Sequence, residues 1–261
     1  MLQVVYIIIM IVIPEWNEFR KWVGMPPPKK ESAAVMELRE RFSNYHYKIV
    51  ERDPDNFRIF VALLITYILV LLVQPTRYYW WYPSFNLSIP GIGKAFPDSR
   101  DEVNIVVTEY IMKRMPSDVA FFRMTDMNPA AAFTNVIKPD EMTVEEMDKI
   151  MTSTRVIFVI KMLKWKYNRA RPAQIAPELI NEKNGTLLHS ESAATPAYPS
   201  GHAVQAYYLA KILARRFPAK TQAVMEIATK CVNIRIMAGH HYPSDRDFGW
   251  WVVDRYLTDD S

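Results

Sequence analysis

The residues in this chain that could do chemistry together fall in three short stretches of its second half. Lys164 and Arg171 are separated by six residues, and Pro172 follows. Ala197-Tyr-Pro-Ser-Gly-His202 comes next. Arg235, His241 and Asp245 are then separated by five residues and by three. Pro199 brings the backbone into a turn, Gly201 allows a ligand to approach closely, and Ala203, Ala206, Leu209, Ala210 and Leu213 begin a helix at once. The first N–H groups of a helix have no internal partner and carry the positive end of its dipole. Ser200, Gly201 and His202 therefore outline a site for a phosphate-like oxygen.

Each feature also has a plainer reading. Ser200 can be no more than the cap of that helix. Lys164 has Lys166 and Arg169 as neighbours, and such a run of bases is usually a solvated face. His240 adjoins His241 but fits neither of the two separations, which leaves it a turn residue or a support behind the site. Asp245 and Asp247 are both acids at a helix start, where the dipole favours them; the spacing selects Asp245. His46 and His189 match no motif.

Taken together, the three stretches resemble the phosphatidic acid phosphatase type 2 (PAP2) family, which shares a superfamily with bacterial acid phosphatases and vanadium haloperoxidases. Its pattern is Lys-x6-Arg-Pro, then Pro-Ser-Gly-His, then Ser-Arg-x5-His-x3-Asp. Lys164, Arg171, Pro172, Pro199, Ser200, Gly201, His202, Arg235, His241 and Asp245 stand in place, across about a third of the chain. One position departs: Ile234 precedes Arg235 where the family usually has Ser, so a hydroxyl that would help fix that arginine is missing.

The resemblance implies an all-α fold, a helical bundle like the acid phosphatase and haloperoxidase core, with the site between helix ends. It implies a phosphatase that needs no metal or other cofactor and works on a phosphate monoester through a phosphohistidine. A phosphoryl group in transfer carries negative charge on its equatorial oxygens, so the task is mostly positioning and electrostatics. Lys164, Arg171 and Arg235 would supply cations, and Ser200 and the Gly201 N–H neutral donors. His241 would attack as a neutral imidazole whose other nitrogen Asp245 holds. His202 would protonate the leaving alcohol and then activate water. Vanadate is expected as an inhibitor. Under a second reading it is the cofactor of a vanadium haloperoxidase with His241 as its ligand, although those enzymes are much longer. Under a third, prompted by Ile234 and the uncovered first half, the protein is a non-catalytic membrane or structural protein that keeps the pocket for binding alone.

Composition sets further bounds. Half of the 261 residues are apolar, enough for a sizeable core, and 32 Lys and Arg nearly balance 28 Asp and Glu, so nucleic acid is not an implied partner. The single cysteine, Cys231, excludes an internal disulfide and a Cys-based zinc site; amid Val232 and Ile234 it reads as a buried thiol.

The elements that position the motifs read as helices divided among four segments: residues 1–57, a candidate anchor over 58–82, a linker over 83–98, and a catalytic domain over 99–261. Leu2 to Ile13 is an apolar run too short to span a bilayer, followed by an amphipathic helix opened by Ser32. Ile59 to Val73 carries no charge, and Tyr78 to Tyr82 supply an aromatic cluster of the kind found at membrane interfaces. Lys and Arg concentrate on the N-terminal side. These features predict a single-span anchor with the catalytic domain on the non-cytoplasmic side, beside a phosphorylated small molecule or lipid phosphate; the alternative is a core helix. On that side Asn86 and Asn184 would be glycosylation sequons. Beyond Asp98 the spacing predicts helices over 101–115 and 130–137. Another, opened by a Thr143/Glu146 capping box, would run on to the Lys164 region, and further helices follow from Ala203, over 221–238 and from Ser244. Nothing in the sequence fixes the oligomer.

Overall fold

A computed structural model describes residues 54–72, 84–88, 91 and 93–258. The chain divides into two units, residues 1–69 and 70–261. The apolar run at Leu2–Ile13, the helix expected after Ser32 and the aromatic cluster at 78–82 lie outside the described residues. Among those described the fold is helical without a β-strand, in keeping with the expected all-α class.

Helix α1 spans Pro54–Leu72. Among the described residues no helix is long and apolar enough to cross a membrane, and residues 73–82 of the expected anchor lie outside them. For α1 the reason lies in its first turns. Pro54-Asp-Asn-Phe-Arg58 is polar, and the apolar remainder from Ile59 to Leu72 reaches roughly 21 Å at 1.5 Å per residue, short of the roughly 30 Å of a hydrocarbon core. Leu63, Ile65, Leu69 and Leu72 are exposed on it.

In the larger unit α2 (Ser99–Ile105) continues into π-helical turns (Val106–Ile111), and α3 spans Pro116–Thr125. A 3-10 stretch, Pro129–Asn135, leads to α4 (Val144–Met151), which opens on the expected capping box: Thr143 and Glu146 exchange main-chain and side-chain hydrogen bonds. The long helix foreseen from there to Lys164 is broken. Thr152, Ser153 and Thr154 offer hydroxyls that compete with the helical ladder, Thr152 Oγ1 donates back to the Asp148 carbonyl at 2.7 Å, and Ser153 starts a separate helix, α5 (Thr154–Tyr167).

A short α6 (Pro172–Ile175) and a 3-10 turn (Glu191–Ala194) interrupt the loop that leads to α7 (Gly201–Arg216); α8 (Thr221–Met237) and α9 (Pro243–Val252) complete the unit. The apolar face read from Ala206, Leu209, Ala210 and Leu213 of α7 is fully buried against Val224, Ala228 and Cys231 of α8. Each of those leucines contributes about 2 kcal/mol of transfer free energy. A second cluster joins Val156, Ile160 and Leu163 of α5 to Phe248 and Val252 of α9 through Tyr167 and Tyr198. The segment read as a linker takes part: Phe96 packs in this cluster, and Asn86 clamps the Phe96 main chain with hydrogen bonds of 2.6 Å on both sides.

Candidate active site

The three-residue gap between His241 and Asp245 is a helix-capping geometry. Tyr242 is the N-cap of α9, Pro243 its first residue and Asp245 its third. From there one carboxylate oxygen, Oδ2, accepts from the Tyr242 N–H at 3.0 Å and from Nδ1 of His241 at 2.9 Å. Asp245 is therefore both the helix-start acid of the plain reading and the partner of His241. Because a carboxylate accepts, Nδ1 carries the hydrogen and Nε2 keeps its lone pair, which takes an N–H from Arg171 at 3.2 Å. Burial, reinforced by Arg171 and Lys164, holds the His241 pKa well below that of an ordinary histidine, so the ring is neutral.

Behind this pair lies a residue that sequence reasoning missed. Arg169, read as part of a solvated run of bases, is 1% exposed. It lies between the rings of Phe96 and Tyr242, 4.3 and 3.9 Å from their centroids, and donates to Asp245 Oδ1 and Glu102 at 2.7 Å each. Glu102 in turn accepts from the Ser244 N–H at 3.0 Å. Burial lifts the Asp245 carboxyl to about 6 against the pull of Arg169. No spacing rule announces Arg169 or Glu102; only the aromatic environment, assembled by folding, distinguishes them from surface charges.

The six-residue gap from Lys164 to Arg171 also follows from local structure. Lys164 occupies the last turn of α5, and Asn168 ends that helix in the left-handed conformation (φ 43°). The chain reverses, and Arg171 becomes the N-cap of α6 with Pro172 as its first residue. Lys164 is 4% exposed and donates Nζ–H to the Pro196 carbonyl. Burial, with the neighbouring Arg171, drives its pKa well below the usual lysine value. Arg171 donates to the carbonyls of Thr195 and His240, both at 2.8 Å.

Arg235, near the end of α8, answers the question raised by Ile234. Its Nη1 pairs with Asp126, and its Nη2 donates to the hydroxyls of Ser192 at 2.9 Å and Ser190 at 3.1 Å. The two serines also donate to Asp126, at 2.7 and 2.6 Å. Burial alone would raise the Asp126 pKa, but Ser190, Arg235 and Ser192 together bring it down to about 2. The hydroxyl support expected at 234 thus comes from another part of the chain, and Ile234 packs instead with Phe122 and Ala238.

At the start of α7 the Ser200 N–H donates to the Asp245 carbonyl at 3.1 Å, and its hydroxyl oxygen accepts from the Ala203 N–H at 3.4 Å. The capping role of Ser200 is therefore present, and its O–H is still able to donate. A Cβ at Gly201 would meet only Ile160 and Gln205, at 3.9 and 4.0 Å. Protein packing does not demand glycine here; the space opens toward the cavity. His202 places Nε2 3.0 Å from the main-chain oxygen of Asp126, and burial with Arg235 lowers its pKa to about 3.

These pieces meet. Of the eight positions singled out, six (Lys164, Arg171, Gly201, His202, Arg235 and His241) line one cavity of about 540 Å³. Ser200 and Asp245 are fully buried; Asp245 bonds to His241 of that lining, and Ser200 bonds to Asp245. One face of α5 forms a wall: Ile157, Ile160 and Lys161 stand above Lys164, with Ser192, Ala194, Thr195 and Glu191 from the loop before α7. An oxyanion placed here meets cations and an uncharged imidazole whose Nε2 lone pair faces Arg171.

Residues 150–252 match the family model of the PAP2 superfamily, a span that includes all eight positions. No curated protein matches the chain.

Proposed function

The chain is a member of the PAP2 superfamily over residues 150–252, and from that premise we propose that it is a phosphatase that hydrolyses a phosphate monoester through a phosphohistidine at His241. Members of the superfamily are generally phosphatases. The observation that carries the finer reading is the tautomer of His241. Nδ1–H is committed to Asp245 and Nε2 holds its lone pair in a cavity lined by Lys164, Arg171 and Arg235.

In this mechanism the phosphoryl oxygens take over the hydrogen bonds that Arg171 now makes to Nε2 and to main-chain oxygens, which frees the nucleophile as the substrate seats. Nε2 attacks in line, and Asp245 stabilises the imidazolium that forms. His202 delivers a proton to the departing oxygen and, in the second half, removes one from the water that cleaves the N–P bond. The leaving group lies along Ile157, Ile160 and Ala194, a wall that suits an ester with an apolar portion next to its phosphate. The lipid phosphate expected from the sequence belongs to that class.

Phosphate release from an aryl phosphate, from lipid phosphates and from polar sugar phosphates tests the reading. The wild-type chain should turn over the first two groups faster than the third. His241→Ala should lose at least about 10⁴-fold in kcat, as removal of a nucleophile does. Turnover by that variant at the wild-type rate would end the proposal.

A further inference from the structure

His202 must hand a proton to the leaving oxygen, and its surroundings leave it without one to give. A main-chain carbonyl only accepts, so the 3.0 Å contact with Asp126 puts a hydrogen on Nε2 and leaves Nδ1 as the nitrogen that exchanges protons. The ring is 9% exposed. Arg235 of α8 bears on it, and the Asp126 carboxylate is occupied by Arg235, Ser190 and Ser192. Lys161 and Lys164 of α5, Arg171 and His241 share its cavity, with Glu191 on the loop side. In this cationic enclosure the imidazole is neutral before substrate arrives. Moreover, Asp126 cancels one of the positive charges that would otherwise face a dianion.

We infer that the acid proton is brought by the substrate: the site takes phosphate monoesters as monoanions, and the hydrogen of the phosphate's own hydroxyl passes through Nδ1 of His202 to the departing alcohol. This deepens the phosphatase reading and rests on it. The steps balance. On binding, the P–OH proton moves to Nδ1 of His202. The bond from Nε2 of His241 to phosphorus forms as the ester P–O bond breaks, its electron pair stays on oxygen, and the proton from His202 completes the alcohol. Water then gives a proton to Nδ1 as its oxygen bonds to phosphorus and the N–P bond breaks. That proton returns to the product, which leaves as the phosphate monoanion with both histidines neutral again.

The experiment is the pH dependence of kcat/KM on the full chain, which reports the ionisations of free enzyme and free substrate. An aryl phosphate, whose second proton leaves near pH ~6, is compared with its phosphorothioate analogue, whose second proton leaves at lower pH. The expected result is an alkaline limb, tenfold per pH unit, that moves to lower pH with the phosphorothioate while the acid limb stays in place. An alkaline limb at the same pH for both, or none up to about pH 9, would overturn the inference and leave the phosphatase reading intact. Absence of hydrolysis of both substrates at every pH would instead remove the phosphatase reading.

Discussion

Arg169 donates to Asp245 Oδ1 at 2.7 Å with both side chains closed to solvent. The pair sets the orientation of His241 from a layer that no substrate touches. A buried pair broken on one side leaves the other charge uncompensated, at a cost of about 3–5 kcal/mol. Arg169→Met should therefore lower stability by about that amount and Tm by roughly 6–20 °C for a unit of this size. Calorimetry checks it, and an unchanged Tm would show that Asp245 does not depend on Arg169.

The support of Arg235 by Ser190, Ser192 and Asp126 makes the missing serine at 234 dispensable. Ile234→Ser should leave kcat/KM within about threefold while losing about 2–4 kcal/mol of stability, because it empties a packed site and buries a hydroxyl. Ser190→Ala with Ser192→Ala should do the reverse. At about 1–3 kcal/mol for hydrogen bonds to a charged group, kcat/KM falls roughly 5- to 150-fold. Steady-state kinetics with urea melts separates the two outcomes.

Acid stability follows from the buried imidazoles. His202, His240 and His241 all have folded pKa values depressed from 6.5 by burial, so they take up protons on unfolding as the pH falls below about 6.5. Asp245 acts in the opposite sense: raised from 3.8 to about 6, it holds a proton in the folded state that the unfolded chain releases between those values. Near pH 5 the balance is an uptake of about two protons on unfolding. Tm should accordingly fall steadily from pH 7 to pH ~4. Replacing His240 with Gln should reduce that slope by about one proton; an unaltered slope would remove His240 from the count.

Vanadate mimics the five-coordinate phosphorus of the transfer step and should inhibit competitively by taking Nε2 of His241 as its fifth ligand. Asp245→Asn, which leaves the wrong hydrogen-bonding partner for Nδ1–H, should weaken that inhibition along with catalysis. Inhibition constants for the two proteins provide the check.

The motif residues were legible because their spacings are themselves local structure: a helix end, a left-handed reversal and a cap for Lys164 and Arg171, and a cap for His241 and Asp245. Arg169, Glu102, Asp126, Ser190 and Ser192 were not, because their roles arise from contacts across more than 40 residues of chain. Arg169 looks like any lysine or arginine beside a helix end until Phe96 and Tyr242 enclose it. The helix break at Ser153 was written in its hydroxyl run, but a continuous apolar period across it, from Met147 to Ile160, masked the signal.

A close approach joins the helix that carries His202 to the one that His241 precedes. A Cβ on Gly249 would come within 2.7 Å of the Ala203 Cβ, next door to His202, while Gly249 itself rides on the helix that His241 precedes. The approach of these two helices thus depends on a methyl group that is missing. Filling that notch would wedge acid and nucleophile apart like a shim in a hinge, silencing the chemistry from a position that meets neither proton nor phosphorus.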